Sequence, residues 1–377
     1  MTAHAIRLET AGAPVTVVCT DKDVTDWTVR YIGPWWNAAE VAPESVSAGP
    51  VLTAAVDEGR YADVAFGGEI SAFQRVTYAR AELLLDADAS SGIIRAVSAR
   101  PALAYQSDPG AGSLEVVGCR TEDVATATAR LAREVMRGQL LRGGWAVLHA
   151  SAVVAEGGRT VLTFGRKGAG KTTTALALAA RTGCGLLAND RVFVRPNDRG
   201  GVDVLPWPSA AALGLGLLDA LGWFEICRER LEAGEALHPT QDDRVTEALL
   251  AGRRTPLWEG GKELKVQVFP DQFPGWFGVP LATEGEAAAL VFPRVEPGAV
   301  PAVEDRGRRL EDGDFMSGAT EDRYPDVFAL ARVDGGGTKD ARHEVAHRLA
   351  ELPHHSVVLG HDVSANAGFL AKTIGCA

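Results

Sequence analysis

Residues 160–172 read TVLTFGRKGAGKT, an apolar strand-forming run that passes directly into the pattern GxxxxGKS/T at Gly165, Gly170, Lys171 and Thr172. Gly165, Gly168 and Gly170 allow the backbone to curl so that successive N–H groups converge on a phosphate. Arg166, Lys167 and Ala169 complete the loop, and Thr173 follows it. A helix beginning at Lys171 adds the partial positive charge of its N-terminus. Lys171 is then within reach of β- and γ-phosphates, and the Thr172 hydroxyl is a ligand for Mg2+. A strand before the loop and a helix after it are what this chemistry needs, so the stretch predicts binding of a nucleoside triphosphate.

Working outward, WAVLHASAVVA (Trp145–Ala155) reads as one strand that Gly157-Gly158 turns back into TVLTF (Thr160–Phe164), a hairpin. After the loop an Ala/Leu-rich helix runs to about Arg181, with Gly183 as its C-cap. GLLAND (Gly185–Asp190) is the next strand, and RVFVRP (Arg191–Pro196) continues extended. A phosphate-binding loop needs a second carboxylate for its metal, usually at the end of a neighbouring strand, and Asp190 fills that position. Farther on, SAAALGLGLLDALGWF (Ser209–Phe224) reads as helical and AAALVFP (Ala287–Pro293) as a buried strand. A last helix is expected over Asp340–Leu352.

Residues 148–194, LHASAVVAEGGRTVLTFGRKGAGKTTTALALAARTGCGLLANDRVFV, resemble the core of the HPr kinase/phosphorylase family. Relatives of that family include kinases of ribosomal-peptide tailoring clusters, among them lasso-peptide kinases. The match lies in His149, the Gly165–Thr172 loop, and ANDRV at Ala188–Val192; weaker echoes are LPWPSAAALGLGLLD and LAELPHHSVVLGHD. The resemblance implies an α/β chain whose residues 141–377 form a P-loop kinase domain related to PEP carboxykinase. Residues 1–140 lie outside the resemblance; their own strand-like runs and helix predict a smaller α/β (α+β) domain that selects the acceptor or forms a homo-oligomer. The resemblance also implies ATP- and Mg2+-dependent phosphoryl transfer to a hydroxyl of a peptide, a protein or a small natural-product acceptor. Asp190 would bind the metal and catalyse, Lys171 would hold the phosphates, and His149 would relay a proton.

Two positions depart from the family pattern. Asn189 stands where the family has the first of two acids, and an amide cannot accept a proton as a base. Asp190 alone, Asp203 or Asp219 would then supply the base, or positioning alone would activate the acceptor. Ala211 and Leu213 replace a Glu and an Arg found in the bifunctional enzymes, which implies a kinase without phosphorylase activity and argues against HPr as the substrate.

The rest of the chain narrows the function class. Acidic residues outnumber basic ones by 49 to 38, for a formal net charge of −11, which disfavours a nucleic-acid partner. The five cysteines are scattered with no CxxC pair, so a reducing cytoplasm is expected rather than a disulfide framework. No apolar run is long enough to predict a membrane span. Strand-like runs in the first region are PVTVVC (Pro14–Cys19), RVTYARAELLLD (Arg75–Asp86) and IIRAVSAR (Ile93–Arg100), followed by a helix over Thr121–Leu141 with Thr121 as its N-cap. HEVAH (His343–His347) matches the zinc-hydrolase pattern HExxH but lacks its further ligands, so an exposed charged helix is the expectation. YIGPWW (Tyr31–Trp36) is read as a core or dimer contact, with a pocket lining or partner surface as the alternative. Asn189, Arg191, and Lys262 with Lys265, taken as sharing one strand face, are secondary candidates for contact with phosphate or an acidic substrate.

Overall fold

Alternation of apolar and polar residues, as in HAIRLET and APVTVVC near the N-terminus, buries one face of a sheet. The computed structural model describes residues 2–43, 49–66, 74–305, 307–317 and 325–375 of a mixed α/β chain that divides into two units. One unit is Met1–Trp145 with Met316–Thr338, and the other is Ala146–Phe315 with Lys339–Ala377. Residues 316–338, counted with the second region on sequence, therefore group with the first, and the break falls after Trp145. Among the described residues no helix is long and apolar enough to cross a membrane.

The first unit contains β1 (His4–Thr10), β2 (Ala13–Cys19), α1 (Lys22–Tyr31), β3 (Ala39–Val41), β4 (Val51–Val56), α2 (Glu58–Phe66), β5 (Gln74–Tyr78), β6 (Ala81–Ala87), β7 (Ile94–Ala99), β8 (Ala102–Asp108), β9 (Ser113–Gly118) and α3 (Thr121–Arg142). Its strands form one mixed sheet in the order β3-β1-β2-β4-β9-β8-β7-β6-β5. Arg75–Asp86 is two strands and not one, because Ala79 and Arg80 both take positive φ (53° and 69°) and close a two-residue hairpin. Thr121 is the first residue of α3 rather than its cap; Arg120 is the cap, and the Thr121 hydroxyl donates to Asp21 Oδ2 at 2.9 Å. Trp35 and Trp36 are fully buried, as expected of core residues.

Helix α3 buries three charged side chains and uses them to hold residues 325–335. The Glu134 carboxylate accepts from Arg133 Nε at 3.3 Å and from Arg137 Nη1 at 2.8 Å. Arg137 also donates to the Gly335 carbonyl oxygen from Nη2 at 2.6 Å and from Nε at 2.9 Å. A Cβ on Gly138 would meet the Leu330 carbonyl carbon at 2.8 Å, so only glycine admits this close approach. The Phe328 ring packs on Tyr78 and Tyr105 with centroids 5.5 and 5.3 Å apart.

The second unit contains β10 (Ala146–Leu148), β11 (Ser151–Val154), β12 (Arg159–Thr163), α4 (Lys171–Thr182), β13 (Gly185–Ala188), β14 (Val192–Pro196), β15 (Val202–Pro206), β16 (Ala211–Leu213), α5 (Leu215–Leu221), α6 (Phe224–Glu232), α7 (Asp243–Leu250), β17 (Leu257–Glu259), β18 (Lys262–Leu264), β19 (Val266–Val268), α8 (Gln272–Phe277), β20 (Gly285–Val295), β21 (Ala302–Val303), α9 (Lys339–Leu349), β22 (His354–Leu359) and α10 (Val363–Ile374). The main sheet runs β10-β14-β15-β20-β12-β11-β13, with β22 parallel to β20 and β21 on β22. Strand β12 lies between antiparallel β11 and parallel β20. Val161, Val291 and Val357 face a core shared with α4 and α10, while Leu162, Phe164, Leu290 and Phe292 share the opposite core with Val345 and Leu349 of α9.

Three sequence readings change here. Trp145–Ala155 is not one strand: it breaks at His149-Ala150, because β10 pairs with β14 while β11 pairs with β12 and β13. Ser209–Phe224 is not one helix: Ala211–Leu213 pairs with β19 as a strand, and α5 begins only at Leu215 after Gly214. The helix placed at Asp340–Leu352 is α9, and it is followed by β22 and α10, so it is not the last.

Candidate functional site

The loop between β12 and α4 takes its shape from its glycines. Gly165, Gly168 and Gly170 have φ of 150°, 87° and 101°, backbone values that side chains rarely adopt. A Cβ on Gly165 would come 2.7 Å from Ala169 Cβ, and one on Gly170 would collide with Val295 Cγ2 at the end of β20. Gly170 is the residue before α4, and the first-turn N–H groups of that helix face the loop. Arg166, Lys167 and Gly168 are exposed, whereas Lys171, Thr172 and Thr173 are half-buried. Lys171 Nζ donates to the Gly165 carbonyl oxygen at 2.6 Å, so the ammonium group spans the loop.

The strand ends beside the loop bring the second group of candidates to it. The Asn189 carbonyl oxygen accepts from Thr172 Oγ1 at 3.3 Å and from Ser151 Oγ at 2.6 Å. Two hydroxyls therefore fix the peptide between Asn189 and Asp190 against the start of α4. Asp190 follows with its carboxylate exposed, 3.9 Å from Arg191 Nε. Arg191 lies over the Trp207 ring at 5.5 Å. The Asn189 side chain is buried: its Oδ1 accepts from Ser209 Oγ at 3.1 Å, and its Nδ2 donates to the Ala210 carbonyl oxygen at 3.4 Å. Asn189 therefore joins the strand end to the chain entering β16. Ala211 and Leu213 are fully buried in β16, where a charged pair would have no solvent.

His149 sits in the break between β10 and β11, half-buried, with its N–H donating to the Asp314 carbonyl oxygen at 2.8 Å. Asp203 is not near the loop. It pairs with Glu286, which in turn lies opposite Arg159, six residues before Gly165 along β12, a separation of about 20 Å at ~3.3 Å per residue. Asp219, on α5, is ion-paired to Arg254. Lys262 and Lys265 do not share a face. A spacing of three puts them on opposite sides of an extended chain, and the run breaks at Lys265 into two strands of two separate small sheets, neither of which carries the loop. His343 and His347 lie exposed on α9 with Glu344 paired to Arg348 at 2.8 Å.

Sequence reasoning missed Ser151, Ser209 and the Phe164–Phe292 stack. Only the first carried a signal, a hydroxyl two residues after His149. Among the described residues no group of three or more His, Cys, Asp and Glu side chains is gathered to hold a metal ion. Thr172 and Asp190 could supply two oxygens to a hard cation such as Mg2+, which takes its remaining ligands from phosphate and water. A comparison with models of protein families gives no match for this chain, and a comparison with curated proteins gives none either.

Proposed function

We propose that this chain is an ATP- and Mg2+-dependent kinase of the HPr-kinase-like group, with a P-loop fold related to PEP carboxykinase. It would transfer the γ-phosphoryl group to a hydroxyl of a peptide, a protein or a small molecule, without phosphorylase activity. The observation that supports this reading is the strand–loop–helix of Thr160–Thr182, in which positive-φ glycines and Lys171 shape the loop and the Thr172 hydroxyl donates to the carbonyl of Asn189, the residue before Asp190. The loop amides and Lys171 would hold the phosphates, and Thr172 with Asp190 would hold Mg2+, which supplies charge neutralisation. The acceptor oxygen forms the new P–O bond as the bond from γ-phosphorus to the bridging oxygen breaks. ADP leaves with that electron pair, and the hydroxyl proton passes to Asp190 or His149. Asn189, engaged with Ser209 and Ala210, is not available for that step.

The test is γ-labelled ATP with separate peptide, protein and small-molecule fractions, with Lys171→Ala as control. Label in one fraction that is lost in the variant supports the reading; no label in any fraction sinks it. A second reading, a nucleotide-binding protein without transfer, is favoured by the structural use of Asn189. It is recognised by ATP binding that no acceptor fraction turns into transfer.

A further inference from the structure

On the sheet face away from α4, a cavity of about 490 Å3 opens beside β22 and residues 303–305 and 307–309. Aromatic rings connect it to the loop. Phe164, the residue before Gly165, stacks on Phe292 with centroids 5.7 Å apart, and the His354 imidazole stacks on Phe292 at 5.9 Å and 9°. The Arg308 guanidinium lies 4.8 Å from the centre of the same Phe292 ring, and its Nη2 donates to Asp314 Oδ1 at 3.0 Å. Asp314 is also the residue whose carbonyl accepts from the His149 N–H. The cavity, His149 and the strand leading into the loop thus share one set of contacts.

Two nitrogens of the lining, Arg308 Nη1 and His354 Nε2, are buried without a hydrogen-bond partner. A buried guanidinium N–H left unpaired costs about 1–3 kcal/mol, which a ligand oxygen would recover; His354 already donates one ring N–H to the Leu352 carbonyl, so its Nε2 becomes a donor on protonation. Arg309 adds an exposed guanidinium at the rim. Of the two acids in the lining, Glu304 is engaged by Arg294, which leaves Asp305. Burial first, and then the Arg309 charge, hold the His354 pKa below its ordinary value.

We propose that this cavity receives an oxyanion, the carboxylate or phosphate group carried by the molecule that accepts the phosphoryl group, with Arg308 and the imidazolium form of His354 as donors and Arg309 at the rim. A guanidinium beside an imidazole suits a planar or tetrahedral oxyanion. The acceptor is then an anionic hydroxyl compound, its charged end in the cavity and its hydroxyl toward the loop. The acceptor role rests on the kinase reading, whereas the oxyanion site does not.

The test uses the full chain carrying Lys171→Ala, which weakens phosphate binding at the loop. Inorganic phosphate is titrated in while the His354 imidazole is followed by NMR, its resonance assigned with His354→Gln. A saturable shift and an upward move of the His354 titration midpoint are expected, both weakened at least tenfold in phosphate concentration by Arg309→Gln. Arg308→Gln should act likewise, but it also breaks the Asp314 contact, so Arg309→Gln carries the decision. Repeating the titration with acetate tells a carboxylate site from a phosphate site. No response at His354, or a response indifferent to Arg309→Gln, overturns the proposal even if the parent chain binds ATP. Absence of ATP binding by the parent chain overturns the kinase reading and, with it, the acceptor role.

Discussion

Two glycines of the loop separate backbone strain from steric collision. Gly168 and Gly170 both have positive φ, but a Cβ on Gly168 enters open space while one on Gly170 runs into Val295. Gly168→Ala is expected to cost about 1 kcal/mol, and Gly170→Ala more, about 2–4 kcal/mol, with a larger loss of ATP affinity. Thermal melts and ATP titrations of the two variants check the order; equal effects would show that Val295 does not constrain the loop. Asn189 gives the second prediction. Its Nδ2 donates to the Ala210 carbonyl, so Asn189→Asp removes a donor and places a buried carboxylate against a carbonyl oxygen, at a cost of about 1–3 kcal/mol. The variant should melt earlier and transfer phosphate no faster. A variant as stable as the parent and faster in transfer would identify position 189 as a missing base. Residue types made the loop legible in the sequence, because the spacing of Gly165, Gly170, Lys171 and Thr172 maps directly onto adjacent positions in space. The hydroxyl of Ser151 was not legible. Its partner lies 38 residues away, and only strand pairing brings the two together.

Legibility at the scale of elements followed hydrophobic period and turn chemistry. Helix α4 with its Gly183 cap, β20, and the β11–β12 hairpin are where the sequence puts them, since each is bounded by glycine or by a change of period. Ala211–Leu213 was misread because a short apolar run suits either a helix or a buried strand, and its pairing with β19 decides. Helix α3 carries a prediction of its own. Removing the Glu134 carboxylate by Glu134→Ala leaves two buried guanidinium groups without their shared counterion, at a cost of about 3–5 kcal/mol. A shift in the urea midpoint checks this; an unchanged midpoint would mean that water reaches the cluster. Strand β22 begins with His354 and His355, and burial holds both imidazoles below their ordinary value of 6.5. Such groups favour the folded state when neutral. Their contribution is whole above the unfolded value and is lost as pH falls through the lower folded value. The urea midpoint should therefore drop between about pH 7.5 and about pH 5.5, and drop less in His354→Gln/His355→Gln. Parallel slopes for the two proteins would remove the histidines from the explanation.

For the molecule as a whole, the division of the chain was legible only in part. Gly143-Gly144 marks the end of the first long segment, but nothing in the pattern of 316–338 says that it returns to the first unit. Its anchors are single contacts, Phe328 on Tyr78 and Tyr105 and the Gly335 carbonyl on Arg137, which have no sequence period. A chain ending at Trp145 would uncover those rings and leave the Arg137 guanidinium without that carbonyl. It is expected to aggregate or lose near-ultraviolet dichroism, and the same chain carrying residues 316–338 on a flexible linker should recover both. A well-folded 1–145 fragment would show the returning segment to be dispensable. The discontinuity also bears on how such a gene can be remodelled. A single recombination event near codon 145 would leave the new partner with a returning segment that fits nothing, while the old partner lost its own. Exchange of the first half therefore requires three coordinated breakpoints, at 145, 315 and 338. The two halves are thus expected to be inherited as one block and not traded as separate modules.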